Sequence, residues 1–313
     1  MLCGLFSQAL QFFSSNAAYR RALRFGSFVI KEVLLVHMHE QYVWHNKGLI
    51  PKEEARVPIG NIAAMYGFGV YENVRFRNGR VFFLDRHIDR LFRSAALIGL
   101  EHFFLASAVR EGAQALVLKN YVTDANMKMV LLGGKTAEDA QLFLMALAPK
   151  FVEKSVYRKG VRVLARHYER FLPQAKTLNM LPSYLFFREA EKAGAYDTIL
   201  VNREGNITEG TRSNIFVIRG EHIITPAREH VLLGVTRETV IECLREHGYT
   251  VKEQSVPLDR IGEYEGAFLT NTSGKVVPTR KIDEHEFSSI PELVRSAMAW
   301  YDAWLETKGE SLI

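Results

Sequence analysis

From Tyr42 onward the sequence alternates short apolar runs with longer amphipathic stretches, and the alternation is broken once, at Pro149-Lys150-Phe151-Val152-Glu153-Lys154. A 313-residue chain patterned this way is expected to fold as mixed α and β structure in two parts. In the first part Tyr42–His45, Asn46-Lys47-Gly48 and Leu49-Ile50 read as a hairpin, and Val81–Leu84 as a strand. Asp85 is placed to cap a helix to about Ile98, with Ile88, Leu91, Phe92 and Ala95 at helical spacing and Gly99 after it. Ala106–Tyr121 reads as a second helix, and Met127–Leu132 and Gln141–Ala148 as strands. In the second part Val161–Ala165, Thr198–Val201, Asn214–Ile218 and Ala267–Thr270 read as strands. Pro182–Gly194, Thr236–His247 and Pro291–Thr307 read as helices, and Gly205-Asn206 as a turn. The expected organisation is a smaller α/β domain over 38–148, a linker over 149–155 and a larger α/β domain over 156–313.

Residues 1–37 stand apart. They carry Arg20, Arg21, Arg24 and Lys31 against the single acid Glu32, and are rich in Ser, Ala and Phe. This is the composition of a mitochondrial-type transit peptide, or of an extension upstream of Met38. The segment is expected to be a poorly ordered leader, with the protein cytoplasmic or, if the leader is a transit peptide, mitochondrial. It also supplies most of the net charge of +5, so the rest is nearly neutral and gives no argument for nucleic acid. Two cysteines, Cys3 and Cys243, make no disulfide framework. No uncharged apolar run reaches the ~18 residues of a membrane span.

The common single motifs fail. Gly67-Phe68-Gly69 begins a dinucleotide fingerprint, but its third position is Glu72. Gly134-Lys135-Thr136 ends like a phosphate loop, but the upstream glycine position holds Met129. Asp85, His87 and Asp89 fall two apart on a helix and share no face, so a solvated face is expected there and no metal is assigned.

Four separated segments carry more. They are Tyr66-Gly67-Phe68-Gly69-Val70-Tyr71-Glu72 with Leu84-Asp85-Arg86-His87-Ile88-Asp89-Arg90-Leu91; Gln174-Ala175-Lys176-Thr177-Leu178-Asn179; Asn206-Ile207-Thr208-Glu209-Gly210-Thr211-Arg212-Ser213-Asn214; and Leu233-Gly234-Val235-Thr236-Arg237 with Thr270-Asn271-Thr272-Ser273-Gly274 further on. In this order they resemble the class IV pyridoxal-phosphate aminotransferases, the group of branched-chain aminotransferases, D-amino-acid aminotransferases and aminodeoxychorismate lyases. The resemblance covers nearly all of residues 40–285.

What it implies is specific. The fold would be the two-domain PLP fold type IV, with pyridoxal 5'-phosphate in the cleft between domains. Lys176, in the larger domain, would be the Schiff-base lysine; an amine can act there once partly deprotonated. Glu209 would be the acid beside the pyridine nitrogen, keeping the ring an electron sink. Arg90 would grip the phosphate, its planar fork suiting a dianion. Val235 and Thr236, opening a helix after Gly234, would add an anion site, and Thr272 a further phosphate contact. Tyr66, Tyr71, Arg75 and Ser273 would face the substrate. Glu72 is a motif position with no assigned role.

Departures from the family bear on the substrate. The loop Gly133–Ala140 lacks the Arg-x-His pair of D-amino-acid enzymes, and Asn126-Met127-Lys128 replaces the Tyr-x-Arg of branched-chain ones. Met180 and Leu181 follow the lysine segment where branched-chain enzymes tend to have Tyr, and Lys275-Val276 stands in place of Glu-Ile. The expected activity is transamination from a branched-chain or similar aliphatic amino acid to a 2-oxo acid such as 2-oxoglutarate, by a homodimer. The alternatives are a D-amino-acid aminotransferase, or a lyase releasing pyruvate from aminodeoxychorismate.

Overall fold

The computed structural model of the protein describes residues 41–312. The expected leader, residues 1–37, lies outside them. No helix among the described residues is long and apolar enough to cross a membrane.

The first sheet is built from β1 (Tyr42–His45), β2 (Gly48–Pro51), β3 (Gly69–Arg77), β4 (Arg80–Phe82), β5 (Ala125–Leu132) and β6 (Gln141–Leu147), all paired antiparallel. The hairpin turn between β1 and β2 places Asn46 at φ 53°, a conformation that asparagine tolerates. Along β3 the side chains alternate. Val70, Val74 and Phe76 join a core with Met127, Met129, Leu142 and Leu144, while Tyr71, Asn73 and Arg75 take the opposite face. Three helices accompany this sheet: α1 (Ile62–Tyr66), α2 (Leu84–Leu97) and α3 (Ala106–Lys119). Ile88, Leu91 and Ala95 of α2, with Val109, Ala113 and Leu116 of α3, complete the core. The start of α2 differs from expectation: Phe83, left-handed at φ 58°, precedes the helix, and Asp85 lies inside the first turn, where its charge favours the helix dipole.

After Leu147 the chain runs without a regular element to α4 (Lys154–Lys159) and enters a ten-stranded sheet. Its strands are β7 (Val161–His167), β8 (Asp197–Val201), β9 (Asn206–Gly210), β10 (Asn214–Arg219), β11 (His222–Thr225), β12 (Val251–Glu253), β13 (Val256–Pro257), β14 (Gly266–Asn271), β15 (Lys275–Ile282) and β16 (His285–Glu286). The order β10-β14-β15-β7-β8-β9 closes on itself, because β9 also pairs with β10 at Glu209↔Asn214. Inward residues such as Val163, Ile199, Ile215, Val217 and Leu269 fill the resulting barrel. Outward residues, among them Phe216, Ile218 and Phe268, pack under α6 (Val235–Glu246) and α7 (Glu292–Glu306); α5 (Leu181–Lys192) lies against β7 and β8.

After α7, which covers the barrel, the chain crosses back. A final strand β17 (Gly309–Ser311) pairs with β4 at the edge of the first sheet, and Leu312 is buried in that sheet's core. Residues 292–312 thus belong partly to each sheet.

Candidate functional site

A cavity of about 650 Å³, open to solvent, lies where these elements meet. Its walls come from β3, α2, the Arg170–Met180 segment, the Glu209–Asn214 turn at the barrel closure, the start of α6 and the end of β14.

Lys176 is fixed through its backbone rather than by a helix. Its carbonyl accepts the Tyr71 amide, its own amide donates to the Ser94 hydroxyl, and Leu178 N–H donates to the Gly69 carbonyl. Gly69 permits this approach: a Cβ there would stand 2.7 Å from the Leu178 side chain and 2.8 Å from the Leu131 carbonyl. The Lys176 Nζ lies 4.6 Å from the centre of the Tyr71 ring.

Glu209 sits on β9, with its two oxygens separately engaged. Oε1 accepts from Arg170 Nη1 at 2.7 Å and Oε2 from the Leu232 amide at 3.2 Å. Burial alone would lower the Arg170 guanidinium; the charge and hydrogen bond of Glu209 outweigh it and raise Arg170 above its usual range. Arg170 also donates to the Pro173 and Ala175 carbonyls, closing the loop that leads into Lys176.

The third feature is an anion cradle. The helix α6 begins at Val235 with no side-chain cap, so the amides of its first turn are left for a ligand. Gly234 packs against Asn214, where a Cβ would come within 2.2 Å of Oδ1, and Asn214 Nδ2 donates to the Leu232 carbonyl. Thr236, Thr272 and Arg90 line the same wall. Arg90 donates through Nε and Nη2 to Glu72 and through Nη1 to the Leu233 carbonyl. Three of its five N–H groups are thereby used and two remain for an anion.

Glu72, without a role in the sequence reading, is the buried centre of this wall. Besides Arg90 it meets His87 Nδ1 at 2.7 Å. Burial would raise the Glu72 carboxyl; the Arg90 charge and the hydrogen bonds from Arg90 and His87 hold it well below the usual carboxylate range. Burial lowers the imidazole of His87, helped by Arg90 and Lys176 and opposed by Glu72. A neutral His87 facing an acceptor-only carboxylate carries its proton on Nδ1. This corrects the solvated face expected for Asp85, His87 and Asp89: both aspartates are exposed, but His87 is buried. The stripe Leu84, Ile88, Leu91 that His87 joins was the available signal.

Of the residues singled out in the sequence, the structure brings Tyr71, Arg90, Lys176, Glu209, Val235, Thr236 and Thr272 to one cavity. It sets three elsewhere. Tyr66 ends α1 and is 80% exposed. Arg75 lines a neighbouring small cavity with Phe82, His87, Lys275 and Tyr301, which shares Val235, Thr236 and Thr272 with the main one. The Ser273 hydroxyl meets Asn126 Nδ2 at 3.5 Å, beside the cavity. Sequence reasoning passed over Arg170, which has no motif around it and reaches Glu209 across 39 positions.

The arrangement offers an amine, an acceptor carboxylate and an uncapped helix start with a charged fork, which together fit a phosphate-bearing aromatic aldehyde. Comparison with known proteins agrees. The chain is 31% identical to the D-alanine aminotransferase of Bacillus licheniformis, over 79% of this chain and 90% of that protein. It is 27% identical to the branched-chain-amino-acid aminotransferase of Pseudomonas aeruginosa, over 77% and 84%. Among solved structures, the branched-chain aminotransferase of Thermoproteus uzoniensis with norvaline superposes with a TM-score of 0.79 at 26% identity, covering 87% of this chain and 99% of that one. A T.th. branched-chain amino acid aminotransferase with pyridoxamine 5'-phosphate shares the fold at a TM-score of 0.82 and 24% identity, covering 88% and 99%. The family described as amino-transferase class IV matches residues 69–282, and the chain belongs to it.

Proposed function

We propose that the protein is a pyridoxal 5'-phosphate-dependent transaminase that moves the amino group of a branched-chain or similar aliphatic amino acid to a 2-oxo acid such as 2-oxoglutarate, and that it works as a homodimer. The observation that carries this is the convergence of the Lys176 amine, the Glu209 carboxylate and the uncapped start of α6 on one cavity. When bound, the cofactor supplies an aldehyde carbon for the amino group and a ring that delocalises the electrons of a deprotonated α-carbon.

The chain's own residues do the rest. Arg90, the Val235 and Thr236 amides and the Thr236 and Thr272 hydroxyls hold the phosphate. Glu209 would accept from the ring N–H of the cofactor, with Arg170 keeping that carboxylate in place. Lys176 would hold the cofactor through its aldehyde carbon. Its Nζ would serve as the base, and then the acid, that moves the proton of the substrate α-carbon. Tyr71 walls the reacting centre beside that amine.

An aliphatic donor is supported by the apolar group that Val130, Leu132, Phe143, Met145 and Leu178 form on the face of the first sheet that Tyr71 shares. The homodimer is supported by the large apolar side chains that Met65 and Tyr66 of α1 and Leu181, Tyr184 and Leu185 of α5 leave exposed. Tyr66, and with it Arg75 and Ser273, remains assigned to the substrate side in this reading. The 31% identity to a D-alanine aminotransferase favours a D-amino donor as the second reading.

The test is a panel of L- and D-amino donors with 2-oxoglutarate, run on wild type and Lys176→Ala. Wild type is expected to gain a visible absorption band with pyridoxal phosphate and to transfer amino groups, and the variant to do neither. Turnover that needs no 2-oxo acid and releases pyruvate would sink the transaminase reading in favour of a lyase.

A further inference from the structure

Four cations line the cavity: Arg90, Arg170, Lys176 and Arg212. Two are already matched by carboxylates, Arg90 by Glu72 and Arg170 by Glu209. Lys176 is committed to the chemistry. Arg212 has no ion-pair partner among the described residues. Its guanidinium lies over the Phe187 ring, 3.3 Å from the centroid, and gives one bond, from Nη2 to the Tyr196 carbonyl at 3.3 Å. The other N–H groups of its fork are uncommitted.

The backbone beneath this side chain is rigid. Gly210 N–H donates to the Ser213 carbonyl at 2.7 Å, and Thr211 N–H to the Thr198 carbonyl at 2.9 Å. The Thr211 and Ser213 hydroxyls both donate to the buried Asp197 carboxylate. Gly210 has no room for a Cβ, which would stand 2.2 Å from Ser213 Oγ. The turn that carries Arg212 is therefore pinned on both sides, and the Phe187 ring of α5 stacks against its guanidinium. Stacking of this kind fixes a guanidinium without consuming its hydrogen bonds.

An amino acid brings two charged groups to such a cavity. Its nitrogen goes to the reacting centre, and its carboxylate needs a cation that no other anion already occupies. On the first sheet, Lys128 is turned onto the Tyr71 ring at 5.5 Å and Arg75 lines the neighbouring small cavity; neither lines the main one. We infer that Arg212 is the anchor for the α-carboxylate of the amino acid and of the 2-oxo acid. It sets substrate orientation and makes the site select for α-carboxylates over simple amines. This rests on the transaminase reading above.

The test uses cofactor-loaded protein and 4-methylvalerate, an aliphatic carboxylate with no amine to react. Its binding is followed by the change it causes in cofactor absorption, in wild type, Arg212→Gln and Arg212→Lys. Loss of a charge-assisted contact should raise the Kd for 4-methylvalerate by about tenfold or more in Arg212→Gln, with partial recovery in Arg212→Lys. The KM for an amino donor should rise in parallel while kcat changes less, and the Kd for pyridoxal phosphate should stay within about twofold. An Arg212→Gln protein that binds 4-methylvalerate as wild type does overturns the inference, as does one whose affinities for carboxylate and pyridoxal phosphate fall together. Wild type that takes up pyridoxal phosphate at Lys176 but no carboxylate sinks this inference alone. Wild type that takes up no pyridoxal phosphate sinks the transaminase reading with it.

Discussion

Arg90 and Glu72 meet as a two-pronged pair, Nε to Oε1 at 2.6 Å and Nη2 to Oε2 at 2.7 Å, with both side chains out of water. A buried pair of this kind is costly to break and cheap to replace whole, because a lone buried charge has no compensation. Arg90→Met in cofactor-free protein should therefore lose about 3–5 kcal/mol of stability, before any ligand is considered. The double variant Glu72→Met/Arg90→Met should recover part of that loss, short of all of it because His87 loses its acceptor. Neither should regain affinity for pyridoxal phosphate. Urea unfolding paired with a spectrophotometric cofactor titration separates the two effects; an Arg90→Met protein as stable as wild type would contradict the argument.

His87 makes the same site sensitive to acid. Its imidazole is held neutral by burial, while in the unfolded chain it titrates near ~6.5. Below that pH the unfolded chain takes up a proton that the folded protein refuses, so the contribution is whole above ~6.5 and declines as pH falls. Glu72 is depressed as well, and its contribution starts to fall only below ~4.3. Between pH 8 and 5 the thermal midpoint of wild type should drop more steeply than that of His87→Gln, whose amide can still donate to Glu72. Parallel curves for the two proteins would refute the assignment.

Much of this was legible in the chain because it is periodic or local. The stripe Ile88, Leu91, Ala95 marks α2, the apolar runs mark β5, β6, β8 and β10, and the motif residues Lys176, Glu209, Thr236 and Thr272 do meet at one cavity. What escaped depends on pairings between distant segments. Closure of the barrel through Glu209↔Asn214 follows from the whole strand order, which no local pattern encodes. Alternation along β3 does put Arg75 on the same face as Tyr71, but whether two such residues share a cavity depends on the wall brought up by α6 and β14. His87 was misjudged because its neighbours Asp85 and Asp89 are solvated, although its own spacing to Leu84 and Leu91 is that of a buried face.

Arg170 ties together two things the cavity needs. It matches the Glu209 charge and clasps the Pro173 and Ala175 carbonyls, one residue short of Lys176. Arg170→Met should cost about 3 kcal/mol of stability by leaving Glu209 unpaired, and should weaken pyridoxal phosphate binding by about tenfold through the loosened loop. Arg170→Lys keeps a charge but cannot span three acceptors, so it should rescue stability better than cofactor affinity. Equal rescue of both in paired melts and titrations would count against the two-part role.

The last strand couples the two sheets, and its effect should be seen in stability rather than in the cavity. Gly309 pairs with Phe82, Glu310 with Val81 and Ser311 with Arg80, while Arg80 reaches back to the carbonyls of Glu306 and Gly309. Leu312 then fills a place in the first core that α7, seated on the barrel, cannot reach. Leu312→Ala should lose about 2–3 kcal/mol, the lower part of the range for deleting a buried leucine, since it follows a strand of only three residues that can settle. A chain ending at Thr307 should lose more, because it also bares the edge of β4. Both variants are expected to bind pyridoxal phosphate within about twofold of wild type at low temperature, since no cavity residue is touched. Truncated protein that unfolds at the wild-type urea midpoint would show that β17 is decoration.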